Sequence, residues 1–346
     1  EQVKLLEQKF ISPCLISQDN AKVENISAEK AKKGKVRLFN NVDPNVNAIL
    51  KKYFGDWFAH IMAKHQEGYY AVGQDPYITS TEIYHAFEAK QGKVLNTDFS
   101  AFDKLLTPQL IRAFCKIASR LTRPKIDQTK DELYSVFMAL ADTLTHAVHL
   151  LNGSIYIVNN GNESGTFVTT MLNCVAVHIV FNYTFIKMWW RVPKYINVRP
   201  TLKDIMEKSE IRILGDDKTQ KVSWEIPMEE EDLIIIAAEL GMKCTPAKGD
   251  THVDGEINFC SRVLVWDPKE QVVFPRLKKE SINGLLYWFA SFSLNQVRDN
   301  LMVALFEASF YDEQYYNDVL SDAMTVARNF KVDIRTIPFT NYRMAR

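Results

Sequence analysis

The sequence predicts an α+β fold, and three features of its patterning carry that prediction. Short β-prone runs such as KVLNTD (93–98) and EIRIL (210–214) end in acids or turns. Longer stretches with helical spacing lie between them, and from about residue 280 the pattern stays helical to the end. A chain of 346 residues is also long enough for two or three domain-sized lobes.

Taken in order, KVLNTD follows Gln91-Gly92 and reads as a strand that delivers Asp98 at its end. Residues 108–122 and 131–151 read as helices, the second on the spacing of Leu133, Val136, Phe137 and Leu140. SGTFVTTMLNCVAVHIVFNYTFIKMWW (164–190) reads as a long buried helix with Ser164 as its N-cap. EIRILGDDKTQKVSW (210–224) reads as strand, tight turn, strand. EEEDLIIIAAELG (229–241) reads as a helix, with acids in the first turn and Gly241 at its end, as the macrodipole and C-cap rules favour. INFCSRVLVWDPKEQVVFPRL (257–277) reads as a hairpin around Asp267-Pro268-Lys269-Glu270.

Composition narrows the function classes. With 47% hydrophobic and 24% charged residues, the chain is an ordinary globular protein. Lys+Arg and Asp+Glu both total 42, so any grip on nucleic acid comes from local patches. One exists at EKAKKGKVR (29–37), opposed by the acidic run Glu229–Asp232. Five cysteines without a CxxC pair argue against a zinc ribbon or a disulfide framework and fit a reducing compartment. The most apolar run, CVAVHIVFNYTFI (174–186), is shorter than the roughly 20 residues of a membrane span. Residues 1–20 carry no signal peptide, and a start at Glu1 fits a processed, trimmed or partial chain. The expectation is a soluble cytosolic protein.

Chemistry concentrates in three stretches. ILGDDK (213–218) puts Asp216 and Asp217 side by side on a turn. DFSAFD (98–103) ends another strand with an acid, and two strand ends in one sheet would bring Asp98 and Asp216 to common cations. Asp103 lies five residues beyond Asp98, so the chain must turn and a different task is expected of it. In GNESGTFVTTMLN (161–173), Thr169 and Asn173 are four apart and share a helical face. His146 and His149 in HAVH lack acids or cysteines at ligand spacing, so they read as core or surface histidines. No GxSxG, HExxH, GxGxxG or P-loop occurs.

The ordered set DFSAFD, SGTFVTTMLN and LGDD resembles motifs A, B and C of viral RNA-dependent RNA polymerases, especially the picornavirus-like group. That pattern is Dx4D, then SGxxxTxxxN, then GDD, and all its fixed positions are present: Asp98, Asp103, Ser164, Gly165, Thr169, Asn173, Gly215, Asp216 and Asp217. GKVRLFN (34–40) is similar to motif F, ELGMKCTPAK (239–248) to motif D, and INFCSR (257–262) to motif E. Three positions depart from the group. TPAKGD moves the motif D lysine one place early, FCSR replaces FLKR, and Leu214 stands where tyrosine is common.

The resemblance implies a right-hand polymerase with an antiparallel-sheet palm, partial fingers and a helical thumb. Residues 1–55 and 148–162 would form the fingers, 56–147 and 163–266 the palm, and 267–346 the thumb. Asp98, Asp216 and Asp217 would hold two Mg2+ ions, with Mn2+ as a substitute. Asp103 and Asn173 would bond the ribose 2′-OH, supported by Ser164, Gly165 and Thr169. Lys30, Lys35 and Arg37 would face the triphosphate, Lys248 would protonate pyrophosphate, and Arg262 would touch the primer backbone. Partners would be an RNA template and primer, nucleoside triphosphates, a protein primer and other viral replication proteins. The setting would be host cytoplasm, at membrane-associated replication complexes, without a membrane span of the chain's own. A reverse transcriptase fits less well, because that class blocks the 2′-OH with an aromatic side chain. An inactive RNA-binding relative is the alternative from another class.

Overall fold

The helix Thr169–Trp189 is apolar almost all the way round, as a helix surrounded by protein must be. Met171, Leu172, Val175, Val177, Phe181 and Phe185 are all buried. Among the described residues it is the one helix long and apolar enough to cross a membrane, and 61% of its 18-residue apolar window lies inside the protein, where it serves as core. The computed structural model describes residues 1–23, 31–34, 36–246, 256–289 and 293–335. It divides into a first unit of Glu1–Ala21, Arg37–Asp75 and His85–Glu256, and a second of Lys22–Val36, Pro76–Tyr84 and Ile257–Arg346.

The strands of the first unit are β1 (Leu15–Ala21), β2 (Leu38–Val42), β3 (Lys93–Leu95), β4 (Thr97–Phe99), β5 (Ala147–Leu151), β6 (Ser154–Val158), β7 (Ser209–Leu214), β8 (Asp217–Val222) and β9 (Cys244–Pro246). One mixed sheet has the order β2-β1-β5-β6, so the two segments expected as fingers share it. β1 and β5 run parallel, and the other two pairings are antiparallel. A smaller antiparallel sheet, β3-β8-β7, carries the turn with the paired acids, and β4 pairs separately with β9. An aromatic cluster knits the helices together: Phe54 stacks on Phe114 and meets Phe137 edge-on, each at 5.2 Å between ring centroids. Such pairs contribute about 0.5–1.5 kcal/mol each beyond the area they bury.

The second unit contains the antiparallel sheet β10 (Ile257–Phe259), β11 (Arg262–Asp267) and β12 (Val272–Leu277), followed by helices Lys279–Tyr287, Leu294–Ala308 and Glu313–Phe330. These helices bury Leu286, Leu301, Leu305, Tyr316 and Val319 in a core of their own.

Three expectations are corrected. The helix expected at 131–151 ends at Thr145, because Ala147–Leu151 alternates buried and open positions and is recruited as a strand beside β1. The helix expected from Ser164 starts at Thr169, with Val168 at its N-cap position. The hairpin expected at 257–277 has a third strand, since Cys260 and Ser261 form a two-residue turn with φ of 52° and 62°.

Candidate active site

Asp216 sits at the tip of the β7–β8 hairpin, where Leu214 pairs with Asp217 and leaves Gly215-Asp216 as the two-residue loop. Gly215 has a φ of +66° and Asp216 a negative one, the pattern of a II′ turn, which wants glycine first. Open space surrounds Gly215, so its conformation, not crowding, demands the glycine. The turn is buttressed from behind: the Gly215 amide donates to Cys174 Sγ at 3.1 Å, from the long helix. Burial pushes the Cys174 thiol up to about 12, so it stays protonated.

The carboxyl of Asp216 titrates above the usual range. Loss of hydration is the largest cause, and the negative fields of Asp103 and Asp98 add to it while Arg37 opposes. Asp98, at the centre of β4, is exposed and pairs in register with Thr245 of β9. Asp217, exposed at the first position of β8, completes the acids. Asp98 and Asp103 are near enough to Asp216 for their negative fields to reach it, and carboxylates placed so are the donor type that a divalent cation takes. Lys218, next in sequence, does not supply that charge to solvent: it is buried, and its Nζ donates to Thr97 Oγ1 at 2.6 Å.

Asp103 and Asn173 meet directly, Asn173 Nδ2 donating to Asp103 Oδ1 at 2.8 Å. Asn162, not anticipated from the sequence, fixes the other end of that amide by donating to Asn173 Oδ1 at 2.8 Å. Its own backbone amide donates to the Asp103 carbonyl at 2.6 Å. Thr169 Oγ1 donates to the Glu163 carbonyl at 2.6 Å and closes the loop before the helix.

Ser164 is engaged with β2. Its Oγ accepts from the Asn40 amide, and its own amide donates to Asn40 Oδ1, both at 3.1 Å. That occupation explains why it does not cap the helix. Gly165 lies so close that a Cβ there would sit 2.0 Å from the Asn40 carbonyl oxygen. Arg37, just before β2, is near enough to act on Asp216. Lys30, Lys35 and Lys248 lie outside the described residues.

In the second unit, the side chain of Arg262 is occupied. Its guanidinium takes Glu307 bidentately at 2.8 and 2.7 Å and also reaches the Pro275 carbonyl and Tyr77 hydroxyl. The primer contact expected of it meets a buried internal clamp, because Glu307 arrives from a helix 45 residues on.

The sequence profile of the family described as viral RNA-dependent RNA polymerase matches residues 7–327. The chain belongs to that family. Among curated relatives, the RNA1 polyprotein of Cherry rasp leaf virus is 24% identical over 96% of the chain. The genome polyprotein of human hepatitis A virus genotype IB is 25% identical over 83%. The chain spans 15% and 13% of those polyproteins. A solved structure, the Sicinivirus 3Dpol RNA dependent RNA polymerase, shares the fold with a TM-score of 0.79 at 15% identity, covering 99% of this chain and 69% of that one. Polymerases of this family use divalent metal ions in general.

Proposed function

We propose that the chain catalyses template-directed transfer of ribonucleotides from nucleoside triphosphates to an RNA 3′ end in viral genome replication. One observation carries this reading: the acids around Asp216 adjoin the Asp103–Asn173 pair, so a cation-seeking group and a hydroxyl-recognising group share one site. A 2′-OH both donates and accepts, and a carboxylate beside an amide can serve both roles. A deoxynucleotide would leave those groups unpaired, the arrangement that discriminates most strongly against a missing hydroxyl.

Asp98, Asp216 and Asp217 would hold two Mg2+ ions. When bound, divalent cations would supply activation of the attacking hydroxyl and charge stabilisation for the leaving pyrophosphate. The residues of this chain would then position: Asp103 and Asn173 orient the ribose, and Arg37 neutralises phosphate through its planar fork. Template and primer RNA and the nucleoside triphosphates would be the immediate partners. A protein primer, other viral replication proteins and membrane-associated replication complexes in host cytoplasm belong to the same reading.

Primer extension on a defined RNA template tests it. The expected result is magnesium-dependent incorporation with a strong preference for ribonucleotides. RNA binding without turnover in either magnesium or manganese would overturn the enzymatic reading, and a preference for deoxynucleotides would overturn the substrate class.

A further inference from the structure

His149 lies on β5 opposite Ser17 of β1, on the sheet face that also carries Asp19 of β1 and Tyr156 of β6. Its Nδ1 is 2.9 Å from Asp19 Oδ1 and 3.1 Å from Oδ2, and its Nε2 is 2.9 Å from Glu163 Oε1. The side chains of His149, Asp19 and Glu163 are 6%, 2% and 7% exposed. Two acceptors cannot bond each other, so the contact between His149 Nε2 and Glu163 Oε1 needs one proton held between them, while Nδ1–H serves Asp19. The ring stacks at 5.0 Å on Tyr156, whose hydroxyl also donates to Asp19.

The contacts close into a ring. Asp19 bonds His149, His149 bonds Glu163, and Glu163 is followed by Ser164, which is doubly bonded to Asn40. Asn40 Nδ2 then returns to Asp19 Oδ1 at 2.7 Å. Glu163 Oε2 is buried with no hydrogen-bond partner among the described residues, so the bond from His149 anchors its carboxylate. Burial raises the Glu163 carboxyl above its usual range, and His149 only partly opposes it. The peptide bond N-terminal to Glu163 leads to Asn162, the residue that orients Asn173.

Asp19, His149 and Glu163 are also the one trio among the described residues whose metal-ligating atoms approach within 4.8 Å. A single ion can reach only one ring nitrogen, however, and the two carboxylates occupy opposite ones. The geometry favours a proton-held clamp over a metal site.

We propose that His149 is a positioning residue for ribose selection, clamping Glu163 through a shared proton so that Asn162 and Ser164 hold the loop before the long helix in its ribose-recognising form. This rests on the polymerase reading of the site. The titratable groups facing the ring are Asp19 from β1, Tyr156 from β6 and Glu163 from the loop, with neutral Asn40 from β2. The clamp is complete while the proton between Nε2 and Oε1 is held and is lost as pH rises and that proton leaves. A lone pair then faces the Glu163 carboxylate.

Ribo- against deoxynucleotide discrimination, measured as the ratio of kcat/KM in primer extension from about pH 6 to about pH 9, tests the proposal in three proteins. In the wild type the ratio falls by about tenfold across that range, the scale of one lost charged hydrogen bond, with the change in KM for the ribonucleotide. His149→Gln shows the low ratio at every pH. Glu163→Gln keeps the high ratio at every pH, since its amide donates to the neutral ring while Nδ1–H still serves Asp19. Parallel profiles for wild type and Glu163→Gln would overturn the clamp. So would a neutral His149 ring beside an ionised Glu163 in the 15N and carboxyl 13C spectra at neutral pH, or stoichiometric zinc in the purified protein. A wild type that extends no primer defeats the polymerase reading and the ribose role with it, whereas the spectra read the shared proton independently.

Discussion

At the β7–β8 hairpin the functional acid is carried by backbone geometry, while in the segment Gly161–Asn173 each functional side chain is held by another side chain. Asp216 owes its place to a glycine-first turn and a thiol behind it. Asn173, Asn162, Thr169 and Ser164 owe theirs to partners at 2.6–3.1 Å. The difference follows from what each half must do. A cation brings its own charge and orders the carboxylates on arrival, so repulsion between Asp216, Asp98 and Asp103 is tolerable without it. A hydroxyl brings no such force, so its recognition depends on dipoles arranged in advance.

The strongest test of that contrast is Asp216→Asn. It is expected to cost about 10³-fold or more in incorporation rate, the scale of a group that stabilises developing charge. Its melting temperature should be unchanged or slightly higher, because a repulsion is relieved; a clear fall in stability would break the comparison. Gly165→Ala attacks the other half, where the new methyl meets the Asn40 carbonyl. Denaturant unfolding should register a loss of about 1–3 kcal/mol, as for overpacking elsewhere. An unaffected midpoint would mean that the loop and β2 are not firmly joined.

Asn162→Ala should lower discrimination against deoxynucleotides by about tenfold, through one lost hydrogen bond to Asn173. Its metal dependence should match the wild type, and a shifted magnesium requirement would show the two halves to be coupled.

The smallest effect is reserved for a control outside both regions. Glu7 accepts from Lys125, Tyr53 and Lys52, and chiefly through Lys125 its carboxyl is lowered from 4.5 to about 2. A carboxyl lowered by folding stabilises above its unfolded value and loses that contribution as pH falls toward the folded one. Glu7→Gln should therefore cost about 1 kcal/mol at neutral pH, discounted for solvent screening. The difference from wild type should vanish near pH 2, and a persistent gap there would mean that packing, not charge, is lost.

The motif residues were legible because each motif is one short unbroken run: Dx4D, SGxxxTxxxN and GDD can be read without knowing any long-range contact. The strand–turn–strand at 209–222 and the helix starting at Glu230 were legible for the same reason. What holds the motifs was not. Asn40 reaches Ser164 across 124 residues and His149 reaches Asp19 across 130, and no periodicity marks such pairings. HAVHLL illustrates the ambiguity, since an apolar run of that length satisfies helical and alternating templates alike until β1 selects one. Arg262 shows the converse, a basic residue in the expected motif whose charge is taken up by Glu307, which a local reading does not see. His149 looked inert because its acids come from distant segments.

The parallel pairing of β1 with β5 has a consequence in time. β1 can pair with β2 soon after both are made, but its other edge must wait for a strand about 130 residues later. At cellular synthesis rates that delay is on the order of ten seconds, during which an open ladder edge is exposed to wrong partners. Closing so long a loop is slow, as for other non-local strand pairings. When β5 does dock, it delivers His149 to Asp19 in the same step. Completion of the sheet and burial of its histidine ring are thus one late event in the making of the molecule.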